Sequence, residues 1–517
     1  PEPGKQRFLW DHGAIMPPPT RPARLIGINE ALGREPKKKA AQTDNGSMTM
    51  DSMTAGLDVL VVGAGISGLA TAFHLSRAGL SVEVIDPAAK AGGVIGSVRR
   101  DGMLYETGPN SALDTTPKIG ELVEAAGVKS EMRFASEIAN TRFVVKGGKP
   151  VPLPMSPGAF LSTPLFSFGA KARLAIEPFI GKQPADEEET IAHFVRRRLG
   201  VEFLDYAIEP FVAGIYAGDP ERLSVPAAFP KLHALEQRWG SLIKGQFLGA
   251  RERRKRAETA KNTAKSFSFA GGMQVLTDAL AKRAGQVTLG AKAIAIERLP
   301  DGTFVTTIER DGARTTRHSR AVVVATPAYA AAALVESFAP EASRALAQVE
   351  YPAVCVVASA YARKDIAHGL GGFGLLAPKK ENRALLGTLF SSSMFEGRAD
   401  AGHALLTTFV GGRRNPALAA DTDERILAEV GREHRELLGA TAPPLWSALT
   451  RWPRAIPQYE LGHLKRIAKL AEAETQVPGL RFCANYRGGV SVGDCIANAA
   501  GTAESLAPWL QARAAVR

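Results

Sequence analysis

The sequence is poor in cysteine and lacks a long uninterrupted apolar run. Its 517 residues contain three cysteines, which show neither the spacing of a metal site nor the number that a disulfide framework needs. The longest apolar candidate, residues 321–338, is broken by Pro327 and Glu336, so no membrane-spanning helix is expected. The nine histidines form no constellation. We therefore predict a protein of a reducing compartment with no metal site.

Aromatic residues are missing from the most basic stretches. The formal net charge is +12; residues 1–50 carry eight Lys or Arg against five Asp or Glu, and residues 251–265 carry seven against two. Without interleaved aromatic side chains, these stretches do not indicate nucleic-acid binding. Solvated segments are the ordinary interpretation, and attraction to an anionic membrane surface or an acidic ligand is the alternative.

The first 54 residues also lack the apolar core of a signal peptide. They are rich in proline and charge, a composition that cannot bury enough apolar surface to offset the entropy of ordering. We expect a disordered tail here and a cytoplasmic protein, with a peripheral position on the inner membrane as the alternative. The sequence leaves the oligomeric state open, a homodimer included.

The most specific motif is a glycine-rich turn between an apolar strand, residues 59–62, and a helical pattern that begins at Ile66. Gly63 permits a tight turn, Gly65 lets the backbone approach a pyrophosphate, and Gly68 lets the helix pack closely on the strand. Asp86 ends the next predicted strand, 18 residues after Gly68 (86 − 68), near the spacing of a carboxylate that binds a ribose hydroxyl. The pattern predicts dinucleotide binding; the alternative is a glycine-rich turn that binds nothing.

Two later parts of the chain resemble further pieces of the same nucleotide domain. Residues 286–326 alternate like consecutive strands, with hairpin signals at Asp301-Gly302 and Asp311-Gly312. A final strand, a glycine-rich loop and a helix from Asp494 close the chain. We therefore predict an α/β fold with mixed α+β parts, in which a Rossmann-like domain receives inserted substrate-binding and helical domains.

The predicted boundaries divide the chain into six segments. Three belong to the nucleotide domain, one to a helical, membrane-associating domain, one to a substrate-binding domain, and one is the tail. In chain order they are tail 1–54, nucleotide domain 55–138, helical domain 139–261, nucleotide domain 262–327, substrate-binding domain 328–460 and nucleotide domain 461–517.

Several motifs together resemble a known family. The glycine turn, the doublet Gly92-Gly93 and Ala325-Thr326-Pro327 resemble the flavin-containing amine oxidase superfamily. Residues 208–220, 269–274, 387–392 and 485–493 narrow the resemblance to the protoporphyrinogen oxidases of plants and bacteria, over residues 57–510. The resemblance implies an FAD cofactor, a porphyrinogen substrate and molecular oxygen as the oxidant, with hydrogen peroxide released.

The resemblance also implies the cofactor contacts. The glycine turn would hold the pyrophosphate, Asp86 the ribose, residues 108–111 the isoalloxazine, Ala293 the adenine and residues 490–492 the pyrimidine end. The full set is Gly63, Ala64, Gly65, Ile66, Ser67, Gly68, Asp86, Pro87, Gly93, Gly108, Pro109, Asn110, Ser111, Ala293, Trp452, Val490, Ser491 and Val492. Asn110 is the catalytic candidate beside flavin N5.

For the substrate, the resemblance implies that Val354, Leu370 and Phe390 sandwich the macrocycle and that Lys129 pairs with a propionate. The alternatives are core packing for the apolar residues and a solvated surface position for Lys129. Because the expected pocket is mostly apolar, protoporphyrinogen IX, with two propionates, is favoured over coproporphyrinogen III, with four. Residues 153–168 are either an interfacial membrane segment or a buried loop over the pocket.

Two other functions compete with this one. A related flavoenzyme would act on amines or carotenoid precursors, and residues 208–220 and 387–392 argue against it. A peripheral membrane protein that binds tetrapyrroles without flavin is the non-enzymatic alternative, and the intact glycine turn argues against that.

Overall fold

The computed structural model describes residues 56–184, 187–246, 248 and 264–514. The predicted tail 1–54 and most of the basic stretch 251–265 lie outside the described residues. Over the described ranges the fold is mixed α and β, built on two seven-stranded sheets and two small ones.

The strands, in chain order, are β1 (Leu57–Val62), β2 (Val82–Asp86), β3 (Ser97–Arg100), β4 (Met103–Glu106), β5 (Ala112–Leu113), β6 (Met132–Phe134), β7 (Arg142–Lys146), β8 (Lys149–Pro152), β9 (Ser266–Phe269), β10 (Gln286–Leu289), β11 (Lys292–Arg298), β12 (Phe304–Arg310), β13 (Ala313–Val324), β14 (Val354–Ala362), β15 (Gly374–Leu376), β16 (Leu385–Leu389), β17 (His403–Gly411), β18 (Trp446–Trp452) and β19 (Leu480–Phe482).

The α-helices of the described residues are Ile66–Arg77, Pro117–Ala125, Pro157–Ser162, Phe168–Ala175, Ile191–Arg198, Val201–Phe203, Glu209–Tyr216, Val225–Ala228, Pro230–Trp239, Gln274–Ala281, Ala328–Val335, Pro340–Ala347, Ser391–Met394, Pro416–Ala420, Asp423–Leu438, His463–Gln476 and Val492–Ala514. We call Ile66–Arg77 the first helix and Val492–Ala514 the last helix. None of the helices in these ranges has the length and apolar character to cross a bilayer.

The first sheet has a parallel core, in which β1 lies between β2 and β13 while β10 and β19 extend the two sides. Its strands come from three separate parts of the chain, as the sequence predicts. Alternate residues of β1 enter two different apolar clusters, one on each face of the sheet. A strand covered on both faces is apolar throughout, which explains the run at residues 59–62.

The second sheet has the order β18-β14-β17-β16-β15-β7-β8 and is largely antiparallel. One face packs against the helices between residues 191 and 229, and the other packs against Asp423–Leu438. Strands β7 and β8, which the sequence groups with the helical segment 139–261, form one end of this sheet instead. Their hairpin at Gly147-Gly148 pairs them with each other, and β7 then pairs with β15.

Candidate functional site

The glycine turn that follows β1 has the geometry of a dinucleotide cradle. Gly63 has φ +116°, and a Cβ there would lie 2.8 Å from the Ala325 carbonyl oxygen. A Cβ at Gly68 would lie 1.9 Å from the Gly63 carbonyl oxygen, so only glycine allows this helix to approach the turn. The first helix begins at Ile66, with Gly65 as its N-cap.

The space in front of this turn fits a pyrophosphate. A Cβ at Gly65 would meet no protein atom within 4 Å. The first N–H groups of the first helix have no intrahelical acceptor, because the helical hydrogen bonds begin with Leu69 N to Gly65 O. Thr326 directly follows Ala325, whose carbonyl oxygen lies against Gly63. Its hydroxyl is buried without a hydrogen-bond partner in the described structure. Open space, free N–H groups and an unsatisfied hydroxyl together suit an anionic phosphate group.

Asp86 ends β2 at the edge of this cradle. Its carboxylate accepts hydrogen bonds from Ala64 N and Ala88 N, each at 2.8 Å. Burial raises the pKa of Asp86, and the two backbone donors oppose that shift. Each oxygen keeps a further lone pair, so the carboxylate can still accept a hydroxyl hydrogen bond from a ribose.

Neighbouring residues close the cradle. Gly92 N donates to Ala64 O, and a Cβ at Gly93 would lie 3.0 Å from the Gly65 Cα, so the glycine doublet packs directly on the turn. Pro87 is exposed just beyond Asp86. Ala293 is partly buried near the start of β11. Two residues before it, the Ala291 N–H donates a hydrogen bond to the Asp86 carbonyl oxygen.

The loop at residues 107–111 is buried and held from several sides. Thr107 N donates to Gly96 O, and the indole N–H of Trp452 donates to Thr107 O at 3.1 Å. The Asn110 amide donates to Gly108 O, and the Ser266 hydroxyl donates to Ser111. The loop expected to contact the isoalloxazine is therefore tied to the last residue of β18, in the second sheet.

The last helix begins beside this loop. Ser491 caps it: the Ser491 hydroxyl accepts from Asp494 N and donates to the Asp494 carboxylate at 2.6 Å. A Cβ at Gly493 would lie 3.2 Å from the carbonyl oxygen of Leu113. Leu113 belongs to β5, which directly follows residues 108–111. The structure thus brings the start of the last helix against β5, which directly follows residues 108–111, although 380 residues separate Gly493 from Leu113 in the sequence (493 − 113).

The three apolar residues expected around the macrocycle do not share one face of the second sheet. Val354 is fully buried in the cluster that contains Trp452, on the face toward the helices. Leu370 and Phe390 are buried in the cluster on the opposite face. Val354 lies in β14, where alternate residues face opposite sides, whereas Leu370 and Phe390 lie in the segments just before β15 and just after β16. Phe390 packs near His368, with ring centroids 5.3 Å apart, and Leu370 N donates to the His368 ring.

Lys129 lies on the surface after helix Pro117–Ala125, where its ammonium pairs with Glu124 at 2.5 Å and both side chains are about two-thirds exposed. A different cation lies near the expected substrate residues. Arg142, in β7, holds its guanidinium 5.1 Å from the ring centre of Phe373, whose carbonyl accepts from Phe390 N. The sequence analysis missed Arg142 because only the pairing of β7 with β15 brings it there.

Comparisons with known proteins agree with this geometry. The family model of flavin-containing amine oxidoreductases matches residues 66–507. The mitochondrial protoporphyrinogen oxidase of Nicotiana tabacum is 32% identical over 89% of this chain and 97% of its own length. The coproporphyrinogen III oxidase of Bacillus subtilis is 27% identical over 85% of this chain and 95% of its own.

Solved structures share the fold. A provisionally named protoporphyrinogen oxidase from Exiguobacterium sp. 255-15 superposes with a TM-score of 0.73 at 23% identity, covering 88% of this chain and 99% of its own. Cyclohexylamine oxidase from Brevibacterium oxydans gives 0.63 at 17% identity, covering 88% and 100%. The predicted fold class is confirmed. With the family model and the tobacco relative both spanning most of its length, this protein belongs to the family of flavin-containing amine oxidoreductases, in the group that includes the protoporphyrinogen oxidases.

Proposed function

We propose that this protein is an FAD-dependent oxidase that converts protoporphyrinogen IX to protoporphyrin IX in heme biosynthesis. When bound, FAD would supply the two-electron oxidation of the porphyrinogen in each of three rounds, with molecular oxygen as the final acceptor and hydrogen peroxide, formed with two protons per round, as the product. The glycine turn, Asp86 and residues 490–492 would hold the cofactor. Residues 108–111, with Asn110 as the catalytic candidate, would hold the isoalloxazine together with the start of the last helix.

One observation carries the proposal beyond family membership: the hydrogen bond from Trp452 to Thr107 O. This bond ties the expected flavin loop to the apolar face of the second sheet that also carries Val354, whose register partner in β18 is Trp452. A flat, largely apolar macrocycle needs such a surface next to the cofactor. The buried tyrosines on this face, Tyr216 and Tyr459, have raised pKa values because burial disfavours their charged forms, so they stay neutral. No charged base is required if the substrate releases its proton to solvent.

Arg142 is our candidate for the propionate partner, in preference to Lys129. A guanidinium offers a planar fork that matches a carboxylate, whereas Lys129 offers a point charge and lies on the exposed surface. Arg142 and Val144 are alternate residues of β7 and so face the same side of the second sheet, the side whose apolar cluster contains Val144, Val354 and Trp452.

The decisive experiment gives the purified protein each porphyrinogen under air and follows porphyrin fluorescence and peroxide release. We expect kcat/KM to favour protoporphyrinogen IX over coproporphyrinogen III. An equal or reversed ratio would reject this substrate and favour the coproporphyrinogen alternative, which the Bacillus relative also represents. Yellow protein that oxidises an amine and neither porphyrinogen would point to another oxidase of the family, and colourless protein would reject the flavin site.

Arg142 is tested in the same assay. We expect Arg142→Met to raise KM for protoporphyrinogen IX about tenfold or more, as for other charge-assisted carboxylate contacts, and Lys129→Met to leave it unchanged. The reverse pattern would restore Lys129 as the propionate partner.

We further propose that the protein binds membrane surfaces through an apolar patch of its helical segment. Leu161, Phe168 and Phe179 are 71%, 86% and 83% exposed, which is unusual for large apolar side chains. The Lys244 ammonium lies 5.9 Å from the ring centre of Phe179, so a cation accompanies the patch. In the same segment Leu165 and Phe166 are buried, so residues 153–168 divide between packing and exposure.

Vesicles with and without anionic lipid test this surface. Phe168→Ser with Phe179→Ser should abolish sedimentation with anionic vesicles, because apolar area and charge attraction together drive interfacial binding. Leu445→Ser removes an apolar side chain that is 57% exposed elsewhere on the surface and should leave binding intact. Unchanged sedimentation of the double variant would reject the patch as a membrane contact.

A further inference from the structure

A loop of glycine and backbone groups precedes the cofactor-facing end of the last helix. Gly488 and Gly489 have φ +75° and +132°, and neither has a side chain to hold the chain in place. Glycine reaches these conformations easily but also leaves them easily. The loop that ends at Val490 and Ser491 therefore needs partners outside itself to keep one shape.

Tyr459 supplies those partners. Its hydroxyl donates to Asn485 O at 2.7 Å and accepts from Gly489 N at 3.1 Å, so one oxygen bridges the two sides of the loop. The Tyr459 side chain is buried, and its own carbonyl accepts from Ser224 N in the helical part. The bridge thus runs from the helical part of the protein to the loop that precedes the last helix.

His463, four residues after Tyr459 and at the start of helix His463–Gln476, supports the same loop. Its ring stacks on Tyr459 with centroids 4.0 Å apart and planes 15° apart. Its Nε2 lies 2.9 Å from Tyr486 O, and because a carbonyl only accepts, Nε2 carries the proton. Burial lowers the pKa of His463 to about 4, so the ring is neutral at physiological pH. Together, the Tyr459 hydroxyl and the His463 ring hydrogen-bond three backbone groups of the loop, Asn485 O, Tyr486 O and Gly489 N.

We propose that Tyr459 is a positioning residue for the FAD cofactor, acting through the loop at residues 485–491. Without its hydroxyl, Gly489 N and Asn485 O lose their shared partner and the two glycines are free to change conformation. The residues expected at the flavin pyrimidine end, Val490 and Ser491, then lose their fixed place at the start of the last helix. The inference rests on the FAD site of the proposed function.

Titration of the apoprotein with FAD tests this role. We expect Tyr459→Phe, which keeps the stacked ring, to weaken FAD affinity about tenfold, because two partly buried backbone groups, Asn485 O and Gly489 N, lose their shared partner. Saturating FAD should restore kcat.

Tyr361→Phe is the matched control. Tyr361 is an equally buried tyrosine whose hydroxyl pairs with His434 at 3.0 Å, on the other face of the second sheet. Its variant should lower the melting temperature without changing FAD affinity. If Tyr459→Phe gives no folded protein, His463→Phe takes its place, since it keeps the stack and removes the donor to Tyr486 O.

The outcomes separate this inference from the proposed function. Wild-type FAD affinity in the Tyr459 variant, or an equal loss in the Tyr361 variant, would overturn the positioning role while leaving the enzyme assignment intact. A wild-type apoprotein that does not bind FAD at all would overturn the proposed function itself.

Discussion

A buried ion pair joins the loop expected to contact the flavin to the segment that precedes β17, and breaking it should be costly. The Arg398 guanidinium donates to Glu106 at 2.6 Å and to the Ser268 hydroxyl at 2.6 Å, and both charged side chains are almost inaccessible. Glu106 also accepts from Ser97 and from Met273 N. Glu106 is the last residue of β4 and directly precedes residues 107–111, so the pair anchors that loop.

We expect Arg398→Met to lower the free energy of unfolding by about 3–5 kcal/mol, because it leaves the Glu106 carboxylate buried without its countercharge. Lys118→Met removes one partner of the exposed pair with Glu504 and should cost less than about 1 kcal/mol. The double variant Glu106→Gln, Arg398→Met should lose less than the sum of its two single variants. Urea unfolding followed by circular dichroism measures the wild type, the single variants Arg398→Met, Glu106→Gln and Lys118→Met, and the double variant.

The loss in Arg398→Met should also depend on pH. Burial raises the pKa of Glu106 and Arg398 opposes that shift, so removing the arginine raises this pKa further. The folded variant then holds a proton that the unfolded chain releases above its ordinary carboxyl pKa, so the variant loses stability as pH rises. We expect a larger deficit at pH 8 than at pH 5.5. A loss below about 1 kcal/mol, or additive single variants, would refute the buried-pair argument.

Three further predictions concern the cradle and the second sheet. Gly65→Val should fold and purify without FAD, whereas Gly68→Val should fail to fold, since its Cβ would lie 1.9 Å from the Gly63 carbonyl oxygen. Flavin absorbance and circular dichroism distinguish the two variants. A Gly65 variant that purifies with yellow flavin absorbance would reject the cradle. Phe390→Ala should lower the free energy of unfolding by about 3–5 kcal/mol, because the ring is fully buried; a wild-type denaturation midpoint would contradict this. Burial lowers the pKa of His434 from 6.5 to about 3, so as pH falls the unfolded chain takes up a proton before the folded protein does. The free energy of unfolding therefore falls as pH drops through this window, by up to about 1.4 kcal/mol per pH unit. His434→Gln should flatten this slope in urea unfolding between about pH 4 and 7.

The sequence by itself determined the cofactor cradle. An apolar strand, glycines at 63, 65 and 68, a helix and Asp86 are local features, and local sterics alone decide that only glycine fits the turn. The fold class and the family followed from the same motifs and are confirmed. Each of the three parts of the chain that contribute to the parallel core of the first sheet also carries its own strand pattern in the sequence.

Only the tertiary structure decided which side chains meet across the second sheet. The pairing of β7 with β15 brings Arg142 beside Phe373, and no spacing in the sequence announces this. The same sheet places Val354 on one face and Leu370 and Phe390 on the other. Strand register and long-range pairing set these positions, and both depend on packing between segments more than 200 residues apart.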